Sequence, residues 1–111
     1  MSDFLFIYRG IDPNRTPEQM QKSMQAWTGW LKGLAEKGHI KDMGNPLEEG
    51  GKVVKGKAKN VTDGPYAEAK DLVGGYSLIQ TRDLGHAVEL SMGCPIFEIG
   101  GSVEVRPIRT M

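Results

Sequence analysis

The spacing of apolar positions changes several times along the chain, and each change marks an element. Residues 3–9 read Asp-Phe-Leu-Phe-Ile-Tyr-Arg, a run of aromatic and branched side chains that predicts a strand. Alternation sends Phe4, Phe6 and Tyr8 to one face and Leu5 and Ile7 to the other, so both faces are apolar and both need a cover. Helices of the same chain supply one cover. A chain this short has no third layer to spare, so a second subunit is the expected source of the other.

Thr16-Pro17-Glu18-Gln19 is a helix start, with a hydroxyl cap, proline at the first helical position and glutamine three residues after the cap. The helix should run to Lys37 and end at Gly38, the left-handed position after a helix. Met20, Met24, Trp27, Leu31 and Leu34 recur at steps of four and three, one stripe that can lie on a sheet. Residues 39–47 form a weaker strand, broken by Gly44 and Pro46. Glycine and lysine around Val53-Val54 have turn chemistry, which suggests a small hairpin or a long excursion leading to Val61-Thr62 and a turn at Asp63. Residues 75–82 read as a strand. Asp83 caps a second helix whose inner face is Leu84, Ala87, Val88 and Ser91 or Met92, and Gly93-Cys94-Pro95 stops it. Residues 102–109 close the series, with Val103 and Val105 alternating against Glu104 and Arg106.

The order is β-α-β, an excursion, then β-α-β: the split βαβ arrangement of an α+β, ferredoxin-like domain. Both helices then cover one side of an antiparallel sheet. The other side stays open until a partner closes it, and dimerisation and ligand binding meet there.

Composition narrows the picture further. A chain of 111 residues fits one domain with one core, and 39% hydrophobic with 25% charged residues is ordinary for a soluble globule. No run approaches the roughly 20 apolar residues that span a bilayer, and Met1-Ser2-Asp3-Phe4 lacks the basic start of a secretory signal, so a cytoplasmic protein is expected. Cys94 is the only cysteine, which excludes an intramolecular disulfide and suits a small buried apolar residue. Lysine plus arginine equals aspartate plus glutamate at 14 each, so no overall field favours nucleic acid as a partner.

Three motifs in order carry a family resemblance: Gly44-Asn45-Pro46-Leu47, the run from Asp63-Gly64-Pro65-Tyr66 to Gly74-Gly75-Tyr76, and Val103-Glu104-Val105-Arg106-Pro107-Ile108. From Phe4 to Ile108 the chain resembles the DGPF branch of the YCII-related proteins. The resemblance implies a ferredoxin-like fold that pairs into a dimeric α/β barrel. It also implies an active-site dyad of an acidic residue with a histidine on the first helix. Here Asp63 matches the acid, and Trp27 holds the helix place, where an indole can stack or donate one hydrogen bond but cannot exchange a proton near neutral pH. Related sequences resemble companions of extracytoplasmic-function sigma factors, which would suit an accessory or regulatory role.

Asp63 is the first candidate for chemistry, because a carboxylate at the rim of a two-subunit cavity can be desolvated and tuned for proton transfer. Its plainer role is to stabilise a turn. Of the two histidines, His39 is the better general-base candidate, at a strand end, and His86 reads as a surface or capping residue. Glu104 and Arg106 share a strand face, where the arginine can clamp a carboxylate or phosphate, or the two can serve a cross-strand or cross-subunit salt bridge. Tyr8 and Tyr76 could line the same cavity, and Tyr66 on the loop could bind or gate a ligand. Glu68 and Lys70 read as solvated residues of a short turn.

Gly74-Gly75 marks a close backbone approach and lacks the context of a phosphate-binding loop. Lys52, Lys55, Lys57 and Lys59 stud an edge hairpin, a defence against further strand pairing. No metal-ligand spacing, nucleophile triad or cofactor motif is readable. The expected protein is therefore a homodimer that binds or transforms a small molecule, with no nucleic acid or membrane partner. The alternative is a non-catalytic accessory module.

Overall fold

The computed structural model of the chain describes residues 1–11, 14–64 and 71–111. Its elements are β1 (Ser2–Arg9), α1 (Pro17–Glu36), β2 (Ile40–Asp42), β3 (Gly51–Lys55), β4 (Asn60–Gly64), β5 (Val73–Thr81), α2 (Leu84–Ser91) and β6 (Ser102–Pro107). A 3-10 turn at Pro95–Ile99, not expected from the sequence, joins α2 to β6 and buries Ile96 completely. The main sheet has the order β2-β5-β1-β6 with every pairing antiparallel, the ferredoxin-like order with β1 and β5 at its centre. β3 and β4 form a separate two-stranded hairpin.

Register sorts the residues by face. Phe4, Phe6 and Tyr8 of β1 lie opposite Ile79, Ser77 and Gly75 of β5, and all six are buried. With Leu34, Ala87, Cys94 and Ile96 they make the core between sheet and helices. Val103 and Val105 pair with Tyr8 and Phe6 and pack on that core from β6. Leu5 and Ile7, with Leu78 and Tyr76 opposite them, point the other way and are only half-buried. The two-faced reading of the first strand therefore holds, and within one chain only one face is covered.

Helix α1 starts as its sequence specifies. Thr16 Oγ1 accepts from the Gln19 amide at 3.1 Å and the Gln19 side chain accepts from the Thr16 amide at 2.9 Å, a reciprocal box that satisfies two otherwise orphan donors. The stripe does not lie on the sheet along its whole length. A helix of 20 residues runs about 30 Å. Only Trp27, Trp30 and Leu34 of α1 meet the core, while Met20 and Met24 are 47% and 68% exposed.

The second helix differs from its sequence reading in the same sense. Asp83 caps it, accepting from the His86 amide at 2.8 Å. Its inner face is Ala87, Leu90 and Ser91; Leu84, Val88 and Met92 are exposed. At eight residues the helix makes just over two turns, so only a narrow face reaches the sheet.

Two glycines separate strain from space. Gly38 ends α1 at φ +77° with nothing near the position of a Cβ. Gly44, at φ +73°, lies so close to β5 that a Cβ would stand 1.7 Å from the Tyr76 carbonyl oxygen. Gly38→Ala should thus cost about 1–2 kcal/mol, the left-handed penalty alone. Gly44→Ala should cost clearly more, because β2 and its loop must also move off β5. Urea unfolding of both variants checks the ranking, and equal costs would refute the close-approach account.

Candidate functional site

Two sets of side chains occupy the two faces of the sheet, and register decides which is which. On the helix side, Tyr8 packs edge-on against Trp27 with ring centres 4.6 Å apart, and Trp30 lies 5.8 Å from Trp27 and 6.2 Å from both Tyr8 and Phe6. The Tyr8 hydroxyl donates to Ser77 Oγ at 2.7 Å, and Ser77 Oγ donates to the Met43 carbonyl at 2.7 Å. Each buried hydroxyl is thereby satisfied. Burial pushes the Tyr8 phenol far above its ordinary value despite the serine contact, so it stays neutral at any physiological pH. Cys94, nearby in the same core, is pushed up to about 12 by burial and has no thiolate character.

Tyr8 and Tyr76 consequently do not line one cavity. Tyr8 belongs to the helix side, and Tyr76, opposite Ile7, belongs to the open face. Period-2 alternation within each strand was readable, but relative register requires the pairing itself. The structure instead joins Tyr8 to Trp27. Trp30, three residues beyond Trp27 on the same side of α1, completes this aromatic group, and that helical spacing was its only sequence signal.

On the open face, Glu104 lies opposite Ile7 and Arg106 opposite Leu5. The Glu104 carboxylate is held from both sides. Arg9 meets Oε1 through Nε and Nη2 at 3.1 Å each, and Arg106 Nη1 meets Oε2 at 3.2 Å. Arg9 also donates from Nη1 to the Asp71 carbonyl at 2.7 Å, which ties β1 to the segment before β5. The cross-strand salt bridge is therefore present, and Arg9, not singled out from the sequence, is its second cation. Among the described residues, two guanidiniums on one carboxylate leave one positive charge in excess beside the apolar strip of Leu5, Ile7, Tyr76 and Leu78. Arg106 is the more exposed cation, with a side chain 64% exposed.

Asp63 lies elsewhere. It is not on a turn but inside β4, directly opposite Lys52 of β3, and the two side chains form an ion pair. Its side chain is 90% exposed, so within one chain the carboxylate has none of the desolvation that proton transfer at neutral pH calls for. The turn itself comes earlier, at residues 56–59, where Gly56 and Lys59 both take positive φ. Tyr66, Glu68 and Lys70 lie outside the described residues.

His39 is not near the hairpin residues either. Its Nδ1 donates to the Gln80 carbonyl at 3.1 Å, and its ring meets that of His86 with centres 5.2 Å apart. This pair sits at the Thr81 end of β5, whereas Tyr8 and Tyr76 lie toward the Gly75 end. Among the described residues, two of the surface hollows are open, one of about 580 Å3 among Asp3, Lys41, Gln80 and Arg109 and one of about 500 Å3 along α1 beside Met24. Neither includes Asp63, Arg106, Tyr8 or Tyr76. A group of three or more metal-ligating side chains is not found among the described residues.

The two arginines hold Glu104 below the ordinary range of a glutamate, Arg106 contributing most. A free glutamate titrates near about 4.3. The folded value is lower, so the stabilisation is complete above that range and is lost as pH falls through the folded value. Its size is modest because the group is a third exposed. Carbon-detected NMR titration should place the Glu104 midpoint below the ordinary glutamate range, and Arg106→Gln should move it part of the way back. An unshifted midpoint would show that the two guanidiniums do not act on it.

The architecture also matches known proteins. Over 97% of this chain and 95% of the other, the fold superposes with TM-score 0.51 on the 5-chloro-2-hydroxyhydroquinone dehydrochlorinase TftG of Burkholderia phenoliruptrix AC1100, solved in complex with 2,5-dihydroxybenzoquinone. Sequence identity between the two is 16%, so the likeness is one of fold. No curated protein matches the chain. The YCII-related domain matches residues 4–111, essentially from the first strand to the last residue, and the protein belongs to the YCII-related family.

Proposed function

We propose that the protein binds a small organic anion in a pocket formed where two copies of the chain bring their open sheet faces together, as the resemblance to the DGPF branch implies. One observation carries this reading. The half-buried strip of Leu5, Ile7, Tyr76 and Leu78 adjoins a cluster with one surplus positive charge among the described residues, whose Arg106 side chain is 64% exposed. An apolar floor with a guanidinium at its edge suits the ring and the charge of an aromatic acid or an acidic enol. The hydroxyquinone held by TftG is a compound of that type.

The shape of the chain favours the same arrangement. It is a plate of 45 × 43 × 18 Å with a radius of gyration of 15.4 Å, against about 13 Å for a compact domain of this length. The hairpin presents Val54 and Val61, facing each other across the strands, at 64% and 62% exposure. A second copy that covered the sheet and the hairpin would supply the desolvation that Asp63 lacks, and would make it the acid or base of a proton transfer. Trp27 favours a second reading. It holds the helix place of the histidine in the implied dyad and is packed against Tyr8, so the protein would bind its ligand without converting it.

Sedimentation equilibrium should give a dimer at micromolar concentration, and a monomer would sink the shared pocket. In calorimetric titration with 2,5-dihydroxybenzoquinone and with benzoate, Arg106→Gln should weaken binding about tenfold or more, the worth of a charge-assisted hydrogen bond. Equal binding by wild type and Arg106→Gln would overturn the site. Asp63→Asn should keep fold and binding and abolish conversion of the ligand. Ligand recovered unchanged from the wild type selects the binding-only reading.

A further inference from the structure

The only two histidines of the chain stand 47 positions apart in sequence, and the fold brings their ring centres to 5.2 Å at the rim of the sheet. His39 follows the end of α1 and His86 lies in the first turn of α2. Both are half-buried. Each ring has its Nδ1 turned toward β5: that of His39 donates to the Gln80 carbonyl at 3.1 Å, and that of His86 is hydrogen-bonded to the buried hydroxyl of Thr81. The two nitrogens of an imidazole lie on opposite edges of the ring, so both Nε2 atoms look away from the strand.

We propose that His39 and His86 together form a site for one borderline divalent cation, Zn2+, Ni2+ or Cu2+, bound through the two Nε2 atoms. The tautomer supports it. A backbone carbonyl only accepts, so His39 carries its proton on Nδ1 and presents a lone pair on Nε2, the arrangement in which a metal-ligating histidine is oriented by an outer oxygen. His86 reaches the same state when its Nδ1 donates to Thr81 Oγ1, a hydroxyl that can accept as well as donate.

The spacing fits as well. A metal about 2.0–2.1 Å from a nitrogen of each ring lies about 3.2 Å from each ring centre, which puts the centres about 5 Å apart at a tetrahedral angle. The observed separation is 5.2 Å with the planes at 71°. Among the described residues no third histidine, cysteine or carboxylate completes the set. Water fills the remaining positions, which makes the site open to exchange. Imidazole donors without thiolate select the borderline cations over Mg2+ or Ca2+. The site lies at the Thr81 end of β5, on elements that do not carry Arg106 or Asp63, and it is independent of the reading proposed above.

The test uses the untagged full chain, since a histidine tag would supply competing ligands. With two histidines, the long-range 1H–15N spectrum of the imidazoles is assigned by single substitution. Addition of Zn2+ should shift the Nε2 resonances of both rings while His39 Nδ1 stays in the protonated range. Calorimetry should give a single ion per chain. His39→Ala and His86→Ala should each lose the site. Thr81→Val, which keeps volume and both rings, should weaken it about tenfold through the lost orienting bond. Imidazole nitrogens unmoved by excess Zn2+ in the wild type would overturn the proposal and leave the pair as a ring contact. So would zinc binding that survives in both alanine variants with the rings unshifted, which would place the ion elsewhere.

Discussion

The structure depends on a central strand that is apolar on both sides. Phe4, Phe6 and Tyr8 take up the helix side and are almost fully buried, each contributing on the order of 1.5–3 kcal/mol through area removed from water. Leu5 and Ile7 have no such cover in one chain. Everything on the helix side follows from the first set: Trp27, Trp30 and Leu34 close over it from α1, Ala87 from α2 and Ile96 from the 3-10 turn. Everything of functional interest on the open side follows from the second, because a sheet face with half-wet leucine, isoleucine and tyrosine favours whatever dries it.

Polar groups are distributed according to the same division. On the helix side a buried tyrosine and serine pass a hydrogen bond to a backbone carbonyl, which satisfies the hydroxyls and removes Tyr8 from acid–base chemistry. On the open side the charges remain wet and cluster as Arg9, Glu104 and Arg106, with Arg9 also tying down the chain before β5. The first face is built for rigidity. The second keeps the Arg106 guanidinium largely in solvent.

Asp63 illustrates how strand pairing sets a residue's surroundings. An aspartate before glycine and proline reads as a turn, yet β3 and β4 pair so that it stands opposite Lys52 in a strand. Cross-strand pairing of opposite charges on an exposed hairpin accounts for that position without any chemistry.

Local signals alone determined a great deal. The capping box at Thr16, the caps at Asp83 and Gly38 and the alternation in β1 and β6 are all short-range and legible from neighbouring residues. The faces of the helices were legible only in part, since a period shows which side is apolar but not how far the sheet extends beneath it; Met20 and Met24 lie past that limit. Tertiary structure alone decided which tyrosine shares a face with which arginine, that Arg9 joins Glu104, and that His39 meets His86. Those relations depend on strand register and on contacts between residues many positions apart. No window of sequence contains both partners of such a contact, so the pairing of strands had to supply them.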